Sequence, residues 1–199
     1  MPVKDFDANR RSFLRMALTI GAASAMNPLA ALMLPDSAEA SPMVPLRLHN
    51  PHTNETYAVE LFVGSKWNKS ALLVCDWMMR DWRQKITVNC DRKLYAALYV
   101  IQRKFNVADP ITINSGYRSD KTNQMLRAAS IKRNGRATSE APAVNSQHLY
   151  ARAVDFNVPG VPVKEVARYV KQLGIGGLGV YDTFTHMDTG RVRQWGKEV

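Results

Sequence analysis

The stretch Ser146-Gln147-His148-Leu149-Tyr150-Ala151-Arg152-Ala153-Val154-Asp155-Phe156 sets an imidazole and, seven residues on, a carboxylate in a largely apolar run. A second stretch, Phe184-Thr185-His186-Met187-Asp188, answers with another imidazole. Any fold for this chain must account for these groups. Two histidines and an aspartate are the donor set of a catalytic zinc site, where three N or O ligands leave the fourth position to water; a structural site would fill all four. His148, Asp155 and His186 are therefore read as ligands of one Zn²⁺ per chain. The other histidines, His49 and His52, fall in a polar hairpin pattern and read as surface.

The N-terminus must be set aside before the fold is read. Asn9-Arg10-Arg11-Ser12-Phe13-Leu14-Arg15 has the paired arginines of a twin-arginine export signal. An apolar run from Met16 to Leu34 follows, broken by Asn27 and Pro28, and Ala38-Glu39-Ala40 supplies a small-x-small cleavage pattern. Cleavage is expected after Ala40, with delivery to the periplasm and no membrane span retained. Lys and Arg number 27 against 17 Asp and Glu, a net charge of +10. The leader carries as many acids as bases, so the exported part keeps that excess. Charge alone would suggest nucleic acid. Export argues against that partner and leaves two readings: a surface drawn to anionic polymer or lipid of the envelope, or a solvated basic surface.

Cys75 and Cys90 lack the C-x-x-C spacing of a thiolate metal site. A disulfide between them, which an oxidising compartment permits, and two buried free thiols are equal alternatives.

Along the chain, Leu46–Asn50 and Thr56–Phe62 alternate apolar and polar residues and read as a hairpin. Helices are expected over Asn68–Trp82 and, behind an Asp91 N-cap, to about Phe105. Pro110–Asn114 reads as a strand delivering Ser115-Gly116-Tyr117-Arg118 into a turn, with a helix over Asp120–Ala129 and a polar loop over Ser130–Val144. Ala153–Val158 alternates, so Val154, Phe156 and Val158 point one way and Asp155 the other, into a polar cleft. Val163–Leu173 is an amphipathic helix, and Thr183–Thr189 a strand with His186 and Asp188 on one face. Gly174 to Gly179 lacks the strand-turn-helix placement of a phosphate loop and reads as permitting close backbone approach of a peptide.

Taken together, Ser115-Gly116-Tyr117-Arg118-Ser119, Ser-x-His-x6-Asp, Gly176-Gly177-Leu178-Gly179-Val180-Tyr181 and His186-x-Asp188 resemble the M15 zinc peptidases. Within them the chain is most similar to the murein endopeptidase K-like branch, over about Leu72 to Trp195. The resemblance implies an α+β single domain with an M15/hedgehog-like fold, a small antiparallel sheet flanked by helices. The chain then divides into a signal over 1–40, a lead-in and hairpin over 41–68, and a zinc peptidase domain over 69–199. The resemblance also implies hydrolysis of crosslinks between peptidoglycan stem peptides; separately, the chain is expected to act as a monomer. Arg118 is expected to contact substrate or oxyanion, since its fork can hold a carboxylate or peptide oxygen, the alternative being that it braces a loop against a core carboxylate; Tyr117 and Ser146 are further substrate contacts and Asn123 a weaker candidate. The family usually has Gly where Ala151 stands, so a φ > 0 there would force the loop to adjust.

A zinc ion acidifies its water and polarises a peptide carbonyl, and a neighbouring group must accept the water's proton. Many M15 enzymes place a Glu three residues before the second histidine; here that position is Thr183. Asp188 is the candidate base, with the alternative that it orients an imidazole, and Asp182 stands third. Two other functions fit the same residues: a D-Ala-D-Ala-type carboxypeptidase, or a non-catalytic zinc-stabilised murein-binding module.

Overall fold

A computed structural model of the chain describes residues 44–138 and 141–199. The expected export signal and cleavage point lie outside the described residues. Among the described residues, no helix is long and apolar enough to cross a membrane.

The first strands form the expected hairpin: β1 (Leu46–Asn50) pairs antiparallel with β2 (Glu55–Val59). A two-stranded ribbon, β3 (Phe62–Val63) with β4 (Lys66–Trp67), leads to helix α1 (Lys69–Met78). Asn68 caps that helix by accepting hydrogen bonds from the Ser70 and Ala71 amides, satisfying donors that have no partner inside a first turn. Asp91 does the same for α2 (Arg92–Phe105), which ends on Asn106 in the left-handed region. Strand β5 (Ile111–Ser115), helix α3 (Asp120–Asn134), a 3₁₀ turn (Gln147–Tyr150) and β6 (Ala153–Asn157) follow. Helix α4 (Val163–Leu173) and strands β7 (Gly177–Val180), β8 (Thr185–Asp188) and β9 (Arg193–Gly196) complete the chain.

Seven strands join one sheet in the order β2-β1-β5-β6-β8-β7-β9. This corrects the expected small antiparallel sheet: the sheet is large and mixed, with β1 parallel to β5 and β7 parallel to β9. The α+β class and the single domain stand. The glycine-rich segment supplies β7, and the Arg-Gln-Trp-Gly run at 193–196 supplies the edge strand β9.

One face of the sheet is apolar. Leu48, Ile113, Val154, Phe156, Met187 and Leu178 belong to a core shared with Leu94, Leu98 and Ile101 of α2 and Val166, Val170 and Leu173 of α4. Alternation puts the intervening residues on the opposite face. There the register aligns Ser115, Asp155, His186, Gly179 and Trp195 in a single row across β5, β6, β8, β7 and β9. A register shift between Ile113 and Ser115 sets Ser115 opposite Asp155, the local irregularity a β-bulge introduces beside functional sites. Helix α3 runs to Asn134, five residues past its expected end at Ala129, and stops at Gly135 in the left-handed region.

Candidate metal centre

His148 reaches the sheet from the 3₁₀ turn. Ser146 caps that turn with its hydroxyl 3.4 Å from the His148 amide, and the Arg118 amide donates to the His148 carbonyl at 3.1 Å. Ala151 then reverses the chain into β6 with φ 54, a conformation that glycine adopts without strain. Gly116 serves the same corner from the other side. A Cβ there would lie 2.4 Å from the Met79 carbonyl oxygen, so only glycine lets the chain pass, and the Gly116 carbonyl sits 2.6 Å from His148 Nδ1.

The three expected ligands converge. His186 Nδ1 is 2.7 Å from Asp155 Oδ1, His148 Nε2 is 3.3 Å from the same oxygen, and the two ring nitrogens are 3.2 Å apart. All three residues are buried. The remaining ring atoms fix the tautomers. His148 Nδ1–H donates to the Gly116 carbonyl, and His186 Nε2–H donates to Asp188 Oδ2 at 3.1 Å. In the neutral rings this leaves lone pairs on His148 Nε2 and His186 Nδ1 aimed at a shared carboxylate oxygen. Two lone pairs and an anionic oxygen so close repel one another unless a proton or a metal cation lies among them. The cluster can therefore hold a metal ion.

Charge around the cluster favours the metal-binding form of His148 and Asp155 and the protonated form of His186. Burial, reinforced by the Arg118 cation, lowers His148 to about 4, so its ring is neutral at pH 7. Burial works against ionisation of Asp155, yet the adjoining His148 and Arg118 hold its carboxyl well below the ordinary range. Burial also opposes protonation of His186, but its hydrogen bonds to Asp155 and Asp188 raise it. Arg118 Nη2 binds Asp155 Oδ2 at 2.6 Å while its Nε binds Ser115 Oγ at 2.8 Å. One carboxylate oxygen is thereby tied to the guanidinium and the other left to the imidazoles.

Asp188 lies behind His186. It is 0% exposed and accepts from His186, from the Gly177 and Gly190 amides, and from both terminal nitrogens of Arg193, the shortest at 2.7 Å. These bonds hold its carboxyl below the ordinary range, although burial pulls the other way. The glycines of β7 make room for this arrangement. A Cβ on Gly177 would come within 2.5 Å of Asp188 Oδ2 and 2.4 Å of Arg193 Nη1, and one on Gly179 within 2.7 Å of the Trp195 ring. The close approach inferred for this segment is thus made by the chain's own side chains. Trp195 packs its ring 5.0 Å from that of His186 and donates Nε1–H to the Tyr181 hydroxyl at 3.0 Å.

The cluster opens into a cleft of about 300 Å³. Arg118, Ser146, Tyr181, Phe184, Arg193 and Trp195 are among its walls. Asp155 is the one carboxylate that lines it among the described residues. Tyr117 packs, partly buried, against the hydrophobic core and is not among the walls of the cleft. Asn123 turns its amide to the Ala143 carbonyl at 3.0 Å. Asp182 is paired with Lys197 on the surface, and Thr183 is exposed. His52 stacks on Trp82 and His49 bonds Thr56, both away from the cluster. Cys75 and Cys90 are free, buried thiols, each pushed up to about 12 by burial.

Arg193 and Trp195 belong to none of the motifs singled out in the sequence. Their spacing of two matches that of Gly177 and Gly179, a period shared by paired strands in which side chains on one strand lie over glycines on the next.

The family model for peptidoglycan L,D-endopeptidase MepK, of the M15 peptidases, matches residues 38–195. The peptidoglycan L,D-endopeptidase MepK of Escherichia coli strain K12 is 33% identical over 197 residues, covering 96% of this chain and 98% of that protein. A probable peptidoglycan L,D-endopeptidase MepK of Haemophilus influenzae is 31% identical over 193 residues, covering 95% of this chain and 96% of that protein.

Proposed function

We infer, for a chain that belongs to the peptidoglycan L,D-endopeptidase MepK family of M15 peptidases, that it hydrolyses peptide crosslinks of peptidoglycan with a zinc ion held by His148, Asp155 and His186. The observation that carries this reading is the convergence of two imidazole lone pairs and one carboxylate oxygen at an open cleft. Three N/O ligands facing an accessible space suit a catalytic rather than a structural zinc. When bound, such an ion polarises an amide carbonyl and acidifies water.

The chain's own groups orient that site. The Gly116 carbonyl fixes the ring of His148, Arg118 fixes Asp155, and Asp188 fixes His186. Of the two roles expected for Asp188, orientation of the imidazole is the one proposed. Its full burial and complete set of donors support this, because an oxygen already accepting several hydrogen bonds is a poor proton acceptor. Arg118 and Ser146 line the cleft, which supports substrate contact by both. The exported, periplasmic destination is proposed on the paired arginines and the small-residue site at Ala38–Ala40.

The test is digestion of defined muropeptides by the zinc-loaded protein beginning at Ser41. Crosslinked dimers are expected to be cut and uncrosslinked monomers left intact. Products from monomers alone would replace this reading with carboxypeptidase activity.

A further inference from the structure

A second hollow of about 300 Å³ adjoins the catalytic cleft, and Arg118 and Pro142 line both. Arg83, Arg133, Asn114 and Ser115 are among its other walls, and no carboxylate lines it among the described residues. A ligand lying in the cleft can therefore continue past Arg118 without leaving a protein surface.

The positive charge of this groove is unbalanced. Arg118 is paired with Asp155, but neither Arg83 nor Arg133 takes part in an ion pair among the described residues. The acid whose charge acts on Arg83, Asp81, is already committed. Its Oδ1 accepts from the Arg83 and Gln84 amides, and its Oδ2 from the amide and hydroxyl of Ser119. Burial and the neighbouring Arg118 charge both weaken the hold of Arg83 on its proton, against the pull of Asp81. The Arg83 side chain is also held in place. Its guanidinium carbon sits 4.2 Å from the centre of the Trp82 ring, and His52 stacks on that indole at 4.7 Å. A half-buried guanidinium fixed on an aromatic platform has lost much of the freedom it would otherwise surrender on binding.

We propose that this groove is a carboxylate-binding subsite, with Arg83 as its central group, for the peptide strand that extends from the bond held in the cleft. The identity of that strand as a stem peptide rests on the endopeptidase reading above. A planar carboxylate matches the fork of a guanidinium in two parallel bonds, and Arg133 on α3 adds a second cation at the rim.

The experiment compares the zinc-loaded wild type with Arg83→Gln and Arg83→Lys on a crosslinked stem-peptide dimer and on the same dimer with its free carboxyl groups amidated. Arg83→Gln is expected to raise KM for the free dimer about tenfold with kcat little changed, and to leave the amidated dimer unaffected. Arg83→Lys restores part of the loss. Calorimetric binding of an uncut stem-peptide monomer at low salt supplies a readout independent of cleavage and is expected to weaken by a similar factor in Arg83→Gln. Equal monomer binding by wild type and Arg83→Gln, or equal effects of the substitution on free and amidated dimers, would overturn the proposal. A wild type that binds monomer through Arg83 yet cuts no dimer would instead overturn the endopeptidase reading and leave the subsite in place.

Discussion

Asp188 Oδ2 lies 3.1 Å from His186 Nε2, on the side of the ring opposite the nitrogen that faces Asp155. That single contact sets the tautomer of His186 and so decides which nitrogen is free to bind metal. It also draws a second layer into the site, because Asp188 is itself clamped by Arg193 and by the amides of Gly177 and Gly190.

Replacing Asp188 by Asn keeps the volume but removes the charge and part of the acceptor capacity. Metal affinity is expected to fall about 10- to 100-fold, with activity recovered when excess zinc is supplied. A proton-accepting role would give the opposite pattern, unchanged zinc affinity with activity lost at saturation. Competition with a chelator of known affinity, run beside the activity assay, distinguishes the two.

Gly177→Ala places a methyl group against the Asp188 and Arg193 side chains at a buried point of the sheet. Overpacking of this kind costs about 1–3 kcal/mol, and here it also displaces the group that orients His186. Denaturant unfolding of the metal-free protein is expected to show the loss of stability, and zinc titration a weaker site. Gly160→Ala serves as a control: its φ of +75 brings backbone strain, but there is open space around it and it is remote from the cluster.

Ala151 holds φ 54 and ψ 36 at the turn between His148 and β6. An L residue with a Cβ is disfavoured there, and glycine relieves the strain while adding freedom to the unfolded chain. Ala151→Gly is therefore expected to raise stability modestly, by up to about 1 kcal/mol, with the metal ligands unchanged. A fall in stability of that size on thermal or chemical unfolding would contradict the strain assigned to this turn.

Asp81 ties the turn after α1 to the N-terminus of α3 by accepting from Ser119. Burial alone would raise its pKa, but these hydrogen bonds bring it below the usual 3.8. A carboxyl depressed in the folded state binds protons more readily when unfolded, so its contribution is present above the ordinary aspartate range and is lost as pH falls through the folded value. Asp81→Asn is expected to be less stable than wild type at pH 7, and the gap to narrow as the solution is acidified toward pH 3. A gap independent of pH would remove the carboxylate from the explanation.

Local rules carried much of the sequence reading. Asp91 starts α2 with ordinary capping chemistry, and β6 shows its alternation openly, which is why Asp155 could be turned toward a cleft in advance. The sheet was underestimated because its outer pairings are non-local. Nothing in Gly177-Leu178-Gly179-Val180 announces a strand until Arg193 and Trp195 are seen lying over its glycines. Helix α3 was cut short since its final turns, through Lys132 and Arg133, face solvent and show little apolar periodicity. Tyr117 drew attention by standing beside Arg118. Beyond the end of β5, Tyr117 packs against the core while Arg118 lines the cleft.

The account rests on His148, Asp155 and His186 sharing one ion, and metal content tests it most directly. Wild type and His148→Ala are purified in parallel, dialysed against zinc, checked for folding by circular dichroism and assayed for bound metal together with dimer digestion. About one zinc per chain in the wild type, with little metal and no digestion in a folded His148→Ala protein, is the predicted result. Equal zinc in the two proteins would contradict it.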